Sequence, residues 1–159
     1  MYAVLESHEI QLATFTEDRK ELAALMDTNS IDILRALAQN PRAYKKHLKA
    51  LATHDDAEVR ASVASNESTA APVLAELAKD PAKDVRFYVA LNISTPKPAL
   101  NILLNDSDGE IARMARISIE ALEDKGHQRK YGSCARFVSN ALAVSFGLIS
   151  LMDDTASDD

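Results

Sequence analysis

The sequence predicts an all-α protein: a right-handed α-solenoid of about four 26-residue repeats, each made of two helices, with a C-terminal capping helix. Two observations support this fold class, the composition and a regular spacing of apolar residues. Of 159 residues, 47% are hydrophobic and 26% charged, which is ordinary for one folded domain. Only 4 Gly, 5 Pro and no Trp are present, whereas residues that favour helix are abundant.

The apolar residues recur at intervals of 26 positions. Four such series run in parallel through the chain, and an asparagine recurs at the same interval in a fifth. Coincident series of this kind are typical of tandem structural repeats. The series are Leu22, Leu48, Leu74, Leu100; Leu25, Leu51, Leu77, Leu103; Ile33, Val59, Val85, Ile111; Leu37, Val63, Val89, Ala115; and Asn40, Asn66, Asn92.

Each repeat is predicted to begin with a short helix that has an acid in its first turn, where a negative charge favours the helix dipole. These acids are Asp32, Glu58, Asp84 and Glu110. We interpret them as helix-start residues and not as catalytic carboxylates. The asparagine after this helix is interpreted as a helix-ending residue in the left-handed conformation.

The second helix of each repeat is predicted to start at a Ser-Thr pair with prolines close behind. Ser68 and Thr69, like Ser94 and Thr95, are good N-cap residues, and proline is favoured in a first helical turn. Both helices are too short to be stable in isolation, and each has an apolar stripe that only a neighbouring repeat can bury.

We expect one domain over residues 1–152, with the repeats at about 17–122 and the cap at 126–152. Residues 153–159, which are acidic, are expected to be disordered. The apolar run 137–152 is shorter than the ~20 residues that span a bilayer, and Ser139, Ala143 and Gly147 form a ridge of small residues that permits close helix approach. A cap, self-association into a homo-oligomer and contact with a membrane therefore remain open for this segment.

No motif indicates an enzyme, a cofactor or a metal site. The four histidines show no ligand spacing and are expected at the surface, and the single cysteine, Cys134, has no base near it in sequence. Glycine-rich phosphate loops and a G-x-S-x-G motif are absent from the sequence. Because no active-site motif is found, we expect that the protein is not an enzyme. The N-terminus does not resemble a secretory signal, so we expect a cytoplasmic protein.

The segments LKALATHDDAEVRASVASNEST and LAELAKDPAKDVRFYVALNISTP resemble the variant leucine-rich repeat family, which is close to the HEAT-like α-solenoids. The resemblance covers about Leu22 to Ile119, although the period here is slightly longer and the cysteine cluster of one member is missing. It implies the fold and leaves the activity open. HEAT-like folds also include DNA glycosylases for alkylated bases, which grip phosphates with a basic face.

A basic cluster provides the nucleic-acid alternative. Its residues are Arg42, Lys45, Lys46 and Lys49. The net charge of −6 opposes nucleic-acid binding by the chain as a whole. Arg60 and Arg86, which follow the core valines, are expected to bond to acids and carbonyls of a neighbouring repeat, with phosphate binding as the alternative.

The third repeat carries large apolar residues where the other repeats vary. Phe87 and Leu91 lie on a ridge about 200° round the helix from the core valines, where the second repeat has Ala61 and Ser65. Such variable apolar positions on a constant framework are typical of a binding surface, but packing under the C-terminal segment would also explain them. The residues assigned to partner binding are Phe87, Tyr88, Leu91, Ile93, Arg113 and Ile117.

The function predicted from the sequence is therefore non-catalytic protein recognition by an adaptor, regulator or inhibitor. A HEAT-like nucleic-acid-binding protein related to the alkylated-DNA glycosylases is the alternative. Another protein is the expected partner, and neither nucleic acid nor membrane is favoured.

Overall fold

A computed structural model describes residues 2–123, and this part of the chain consists of nine helices joined by turns, with no strand. The all-α prediction is confirmed for it. The predicted cap at 126–152 and the acidic tail at 153–159 lie outside the described residues. The helices are α1 (Tyr2–Phe15), α2 (Arg19–Leu25), α3 (Ile31–Gln39), α4 (Lys45–Leu51), α5 (Ala57–Ser65), α6 (Ala71–Leu77), α7 (Lys83–Leu91), α8 (Lys97–Leu103) and α9 (Gly109–Glu123).

The odd-numbered helices pack on one another in chain order. α3 contacts α1 and α5, and α7 contacts α5 and α9. We call these five helices the front row. Each short even-numbered helix packs beside its front-row neighbours, and α6 and α8 also contact each other.

The leucine and β-branched series form the core. Leu48, Leu74 and Leu100 are almost fully buried, as are Val59 and Val85. Burial of such a side chain contributes about 1.5–3 kcal/mol. Because helices of seven to nine residues are not stable alone, this shared apolar layer is what holds them in place.

The starts of the front-row helices agree with the sequence, but the starts of the short helices differ. The Asp56 carboxylate accepts hydrogen bonds from the backbone N–H groups of Glu58 and Val59 and so caps α5. By contrast, Ala70 is the N-cap of α6 and its side chain makes no capping bond, although Pro72 lies in the first turn as predicted.

The prediction that Ser68 and Thr69 cap α6 is therefore wrong, because their hydroxyls have other partners. The Thr69 hydroxyl donates to the Val63 carbonyl at 2.7 Å. The Ser68 hydroxyl donates to the Pro41 carbonyl at 2.9 Å, one repeat earlier. The Thr69 hydroxyl thus binds a carbonyl in the last turn of α5 that also accepts the Asn66 N–H, and the Ser68 hydroxyl links its turn to the turn one repeat earlier.

The repeating asparagines connect successive front-row helices. Asn66 ends α5 with φ −76° and ψ 120°, which is extended backbone, so the left-handed interpretation is wrong. Its Nδ2 donates to the carbonyls of Ala38 (2.6 Å) and Asn40 (2.9 Å). Its Oδ1 accepts from the Ser68 N–H at 2.8 Å. Asn40 and Asn92 make the equivalent bonds from their side-chain amides, and the hydroxyl of Ser118 donates to Ala90 at the next equivalent position.

Candidate binding surface

Two arginines tie the turns between repeats together. The Arg60 Nε and Nη2 donate to the two carboxylate oxygens of Asp80 at 2.7 and 2.9 Å. Its Nη1 donates to the carbonyls of His54 and Asp55, both at 2.8 Å. Arg86 binds Asp106 and the carbonyls of Asp80 and Pro81 in the same way.

This geometry confirms the structural role expected for both arginines. Their side chains are only 13% and 16% exposed, so their donors are turned inward and a phosphate-binding role has no support. Burial alone would raise the pKa of Asp80, but hydrogen bonds from Arg60 and from the Ala82 amide outweigh it and lower that pKa. For Asp106 the hydrogen bond from Arg86 is the main cause of a lowered pKa, with burial opposing it.

The six residues assigned to partner binding lie on two adjacent front-row helices and the turn between α7 and α8. Phe87, Leu91 and Ile117 are half-buried against the core. Tyr88 and Ile93 are 41% and 44% exposed, and the rings of Phe87 and Tyr88 meet edge to face with centroids 5.9 Å apart. The sixth residue, Arg113 on α9, is exposed and lies 4.0 Å from Glu110.

The helix-start acids form a feature that the sequence interpretation did not separate from helix capping. Each begins a stripe of positions i, i+4 and i+7, which lie on one side of a helix. All four acids are exposed. We call the side of the front row that these stripes mark the front face. Its exposed residues are Asp32, Gln39, Glu58, Ser65, Asp84, Tyr88 and Glu110; Leu91 and Ile117 are half-buried, and Ala36, Ser62 and Met114 are buried.

Contacts between α3 and α5 support this arrangement of the front face. The Nη1 of Arg35 lies 3.3 Å from the Asp32 carboxylate and 2.9 Å from that of Glu58, so one arginine bridges two acids of the row. The Gln39 amide also reaches the Ser62 hydroxyl at 3.4 Å. The sequence signal for this row is the 26-residue spacing of the four acids, but their exposure on one face depends on how the helices stack.

The basic cluster lies away from the front face. Lys45, Lys46 and Lys49 are exposed on α4, one of the short helices. Arg42 precedes that helix and pairs with the Glu17 carboxylate at 2.9 Å. Three of the four cations thus share one short helix, and the fourth lies in the turn before it.

The histidines do not form a site within residues 2–123. His54 Nδ1 accepts the Asp56 N–H at 3.0 Å. Asp80, one repeat later, and Asp106, two repeats later, make the same turn contact through a carboxylate oxygen. His47 is only 6% exposed, so the expectation of a surface position is wrong for it. Its Nδ1 is buried without a hydrogen-bond partner in the described part of the chain, and burial, followed by the charge of Lys46, lowers its pKa.

Residues 2–123 contain neither a metal-ligand cluster nor a membrane-spanning helix. No group of three or more His, Cys, Asp or Glu side chains there is arranged to hold a metal ion. None of the helices described is both long enough and apolar enough to cross a bilayer. His127 and Cys134 lie outside this range.

Comparison of the chain with protein-family models, with curated proteins and with solved structures finds no match.

Proposed function

We propose that this protein is a non-catalytic protein-binding module, built as a right-handed α-solenoid of about four 26-residue repeats. The equivalent asparagine and arginine contacts at 26-residue intervals support a solenoid. The resemblance to the variant leucine-rich and HEAT-like repeats is part of this proposal, as is a cytoplasmic location.

The observation that carries the proposal is the contrast between the third repeat and the second. Tyr88 and Ile93 are large and remain about two-fifths exposed, whereas the equivalent residues are Ser62 and Glu67. Stacking does not require the larger side chains, since the second repeat makes the same framework bonds without them. Exposed apolar groups that stacking does not explain favour a protein partner.

The charges on the front face favour a protein over a nucleic acid at this surface. Exposed carboxylates run across it beside Tyr88, and such a row repels phosphates. The exposed lysines of α4 are the one observation in favour of the nucleic-acid alternative. A nucleic-acid-binding protein should be retained on heparin and released steeply with salt. We expect this protein to pass through a heparin column without being retained.

Substitutions borrowed from the second repeat give the direct test. The variant Tyr88→Ser/Ile93→Glu gives the third repeat the side chains of Ser62 and Glu67, so its stacking should be preserved. Full-length protein and variant are used as baits in a lysate of the native host, and the captured proteins are quantified by mass spectrometry. We expect a protein captured by the parent to be lost by the variant.

The matched control is Ile102→Glu. Ile102 is 43% exposed on α8, outside the candidate surface, and Glu76 is its equivalent one repeat earlier. This variant should capture the same proteins as the parent. Equal capture by parent, double variant and control would refute the assignment of Tyr88 and Ile93 to partner binding.

A further inference from the structure

The exposed apolar residues of the third repeat lie between two exposed acids. We call four residues the apolar patch: the exposed Tyr88 and Ile93, with the half-buried Phe87 and Leu91 beside them. At one end of the patch, Asp84 precedes Tyr88 by about one helical turn. At the other end, the Ser94 hydroxyl donates to the Glu67 carbonyl at 2.8 Å. The turn that carries Ile93 therefore adjoins the turn that carries Glu67.

The chain does not neutralise these two acids within residues 2–123. The cations of α7 and of the first turn of α8 are held by other carboxylates. These pairs are Lys83 with Asp108, Arg86 with Asp106, and Lys97 with Glu123. The first repeat is different, because there Arg35 bridges Asp32 and Glu58 and so supplies a guanidinium from within the chain. At Asp84 and Glu67 the cation is left to a partner.

The charge at the two ends of the apolar patch decides which partner chemistry it accepts. A partner that covers Tyr88 and Ile93 also removes water from Asp84 and Glu67. A carboxylate that loses water without gaining a cation lowers the affinity, and a like charge opposite it is repelled. The apolar patch therefore fits an apolar stretch that has a basic residue at each end.

The elements around the apolar patch favour a partner segment that is helical. An extended segment gains affinity mainly by pairing with an open sheet edge, and residues 2–123 contain no strand. A helix satisfies its own backbone hydrogen bonds and presents one stripe of side chains. Since α7 rises about 12 Å between Asp84 and Asn92, a helix lying along it needs basic residues about eight positions apart.

We propose that the apolar patch binds an amphipathic helix of another protein, in which large apolar side chains are flanked by two basic residues that pair with Asp84 and Glu67. The apolar side chains cover Tyr88 and Ile93 and supply most of the affinity. The basic residues set the register of the helix and exclude acidic partners. This inference rests on the proposed function, whose partner it describes by its chemistry.

Selection from a peptide library tests this preference directly. The library consists of helical peptides of about 16 residues, long enough to hold helix in water, displayed on phage with the positions of one face randomised. The full-length protein is the bait, and peptides that the Tyr88→Ser/Ile93→Glu variant also retains are removed. We expect the remaining peptides to be enriched in large apolar residues flanked by Lys or Arg about eight positions apart.

The most enriched peptide is then synthesised, and its Kd is measured by fluorescence anisotropy. Asp84→Asn and Glu67→Gln should each weaken binding about two- to fivefold, because each removes one exposed ion pair. Added salt should weaken binding of the parent in the same way. The matched control is Glu76→Gln, which neutralises an exposed carboxylate on α6 and should leave the Kd unchanged. Thermal unfolding of each variant checks that it is folded.

Four results would overturn the inference. Enriched peptides with neutral or acidic flanks would show that the partner chemistry is wrong. A Kd that neither Asp84→Asn nor Glu67→Gln changes would remove the charge pairing. A library without any peptide that distinguishes the parent from Tyr88→Ser/Ile93→Glu would mean that the apolar patch does not recognise such a helix. Sedimentation that shows the parent dimerising through Tyr88 and Ile93 would assign the apolar patch to a second copy of the chain.

None of these results decides the proposed function. The capture experiment with Tyr88→Ser/Ile93→Glu measures binding of a natural partner separately, whatever the chemistry of that partner.

Discussion

At the scale of single residues, the framework depends on polar side chains that serve two neighbouring repeats at once. Asn92 illustrates this, since its Nδ2 donates to the carbonyls of Ala64 and Asn66 while its Oδ1 accepts the Ser94 N–H. Asparagine is suited to this position because its amide both donates and accepts. Buried polar groups contribute little to the free energy of unfolding when they are hydrogen-bonded. Removing one partner lowers the stability strongly, because the remaining group is left buried and unpaired.

Replacing Asn92 with alanine should therefore lower the free energy of unfolding by about 2–4 kcal/mol, since buried groups left unpaired cost roughly 1–3 kcal/mol each. The matched variant is Asn92→Ser, because Ser118 occupies the equivalent position and bonds to the Ala90 carbonyl at 2.7 Å. The Asn92→Ser variant should lose less stability than Asn92→Ala. Urea denaturation followed by circular dichroism measures both, and equal stability of alanine variant and parent would contradict the role given to this side chain.

His47 should make the stability depend on pH. Its pKa in the folded protein is lowered from the usual 6.5 by burial and then by Lys46, so the unfolded chain binds the proton more tightly. The stability that the neutral imidazole permits is fully present above about pH 6.5 and is lost as the pH falls below that value towards the folded pKa. We expect the free energy of unfolding to fall as the pH is lowered below about 6.5 for this reason.

The matched variant His47→Val takes the residue found one repeat later, Val73, and should remove this part of the pH dependence without loss of stability at neutral pH. His8→Gln, at an exposed position, should leave it unchanged. Unfolding curves measured across the pH range test both variants. An unaltered pH dependence in His47→Val would show that another group is responsible.

At the scale of helices and turns, the sequence predicted the helices well and their ends poorly. The helices could be predicted because the apolar spacing indicates which side of each helix is buried, as at Val59 and Val63. The hydrogen bonds at the helix ends could not be predicted, because Thr69 and Asn66 have partners that only the fold brings together. Thr69 binds a carbonyl six residues back, and Asn66 binds two carbonyls one repeat away.

The candidate site was predicted unevenly for a related reason. Tyr88 and Ile93 differ from their equivalents in the second repeat, and this comparison needs no structure. The acid row was missed because an acid in a first helical turn already has a sufficient explanation in the helix dipole. Its second property, exposure on one face across four packed helices, depends on how the helices stack.

The turns joined by arginine give a prediction at this scale. In Arg86→Leu, which introduces the residue found at the equivalent Leu34, Asp106 keeps its charge although its side chain is only 5% exposed. Removing one partner of such a pair typically costs about 3–5 kcal/mol. We therefore expect a large loss of stability at neutral pH, measured by chemical denaturation.

The double variant Arg86→Leu/Asp106→Asn should recover part of that loss, because the asparagine has no charge and its Oδ1 can still accept the Asp108 N–H. The parent should also lose stability in acid. Since the pKa of Asp106 is lowered, its contribution is present above the unfolded pKa near 3.8 and is lost as the pH falls through the folded value. A double variant less stable than Arg86→Leu would contradict this account.

At the scale of the whole molecule, stability is shared between neighbouring units. None of the helices from α2 to α8 exceeds nine residues, which is below the length at which an isolated helix is stable in water. Each front-row helix packs on the next, and buried side chains from both kinds of helix fill the layer between them. A defect at one seam should therefore be felt by its neighbours on both sides.

Leu77→Ala tests this shared stability. Leu77 is buried at the end of α6, in the middle of the array, and its truncation should cost about 2–4 kcal/mol because the lost methyl groups leave a cavity between repeats. Because the helices on either side depend on that seam, the helical circular dichroism signal should still disappear in one transition at a lower urea concentration. Ile102→Ala, at an exposed apolar position on α8, should change the stability by no more than about 0.5 kcal/mol.

If both variants unfold like the parent, Leu77 does not lie at a seam that supports the array. If Leu77→Ala instead unfolds in two separate steps, the repeats on its two sides are stable independently and the packing does not act as one cooperative unit.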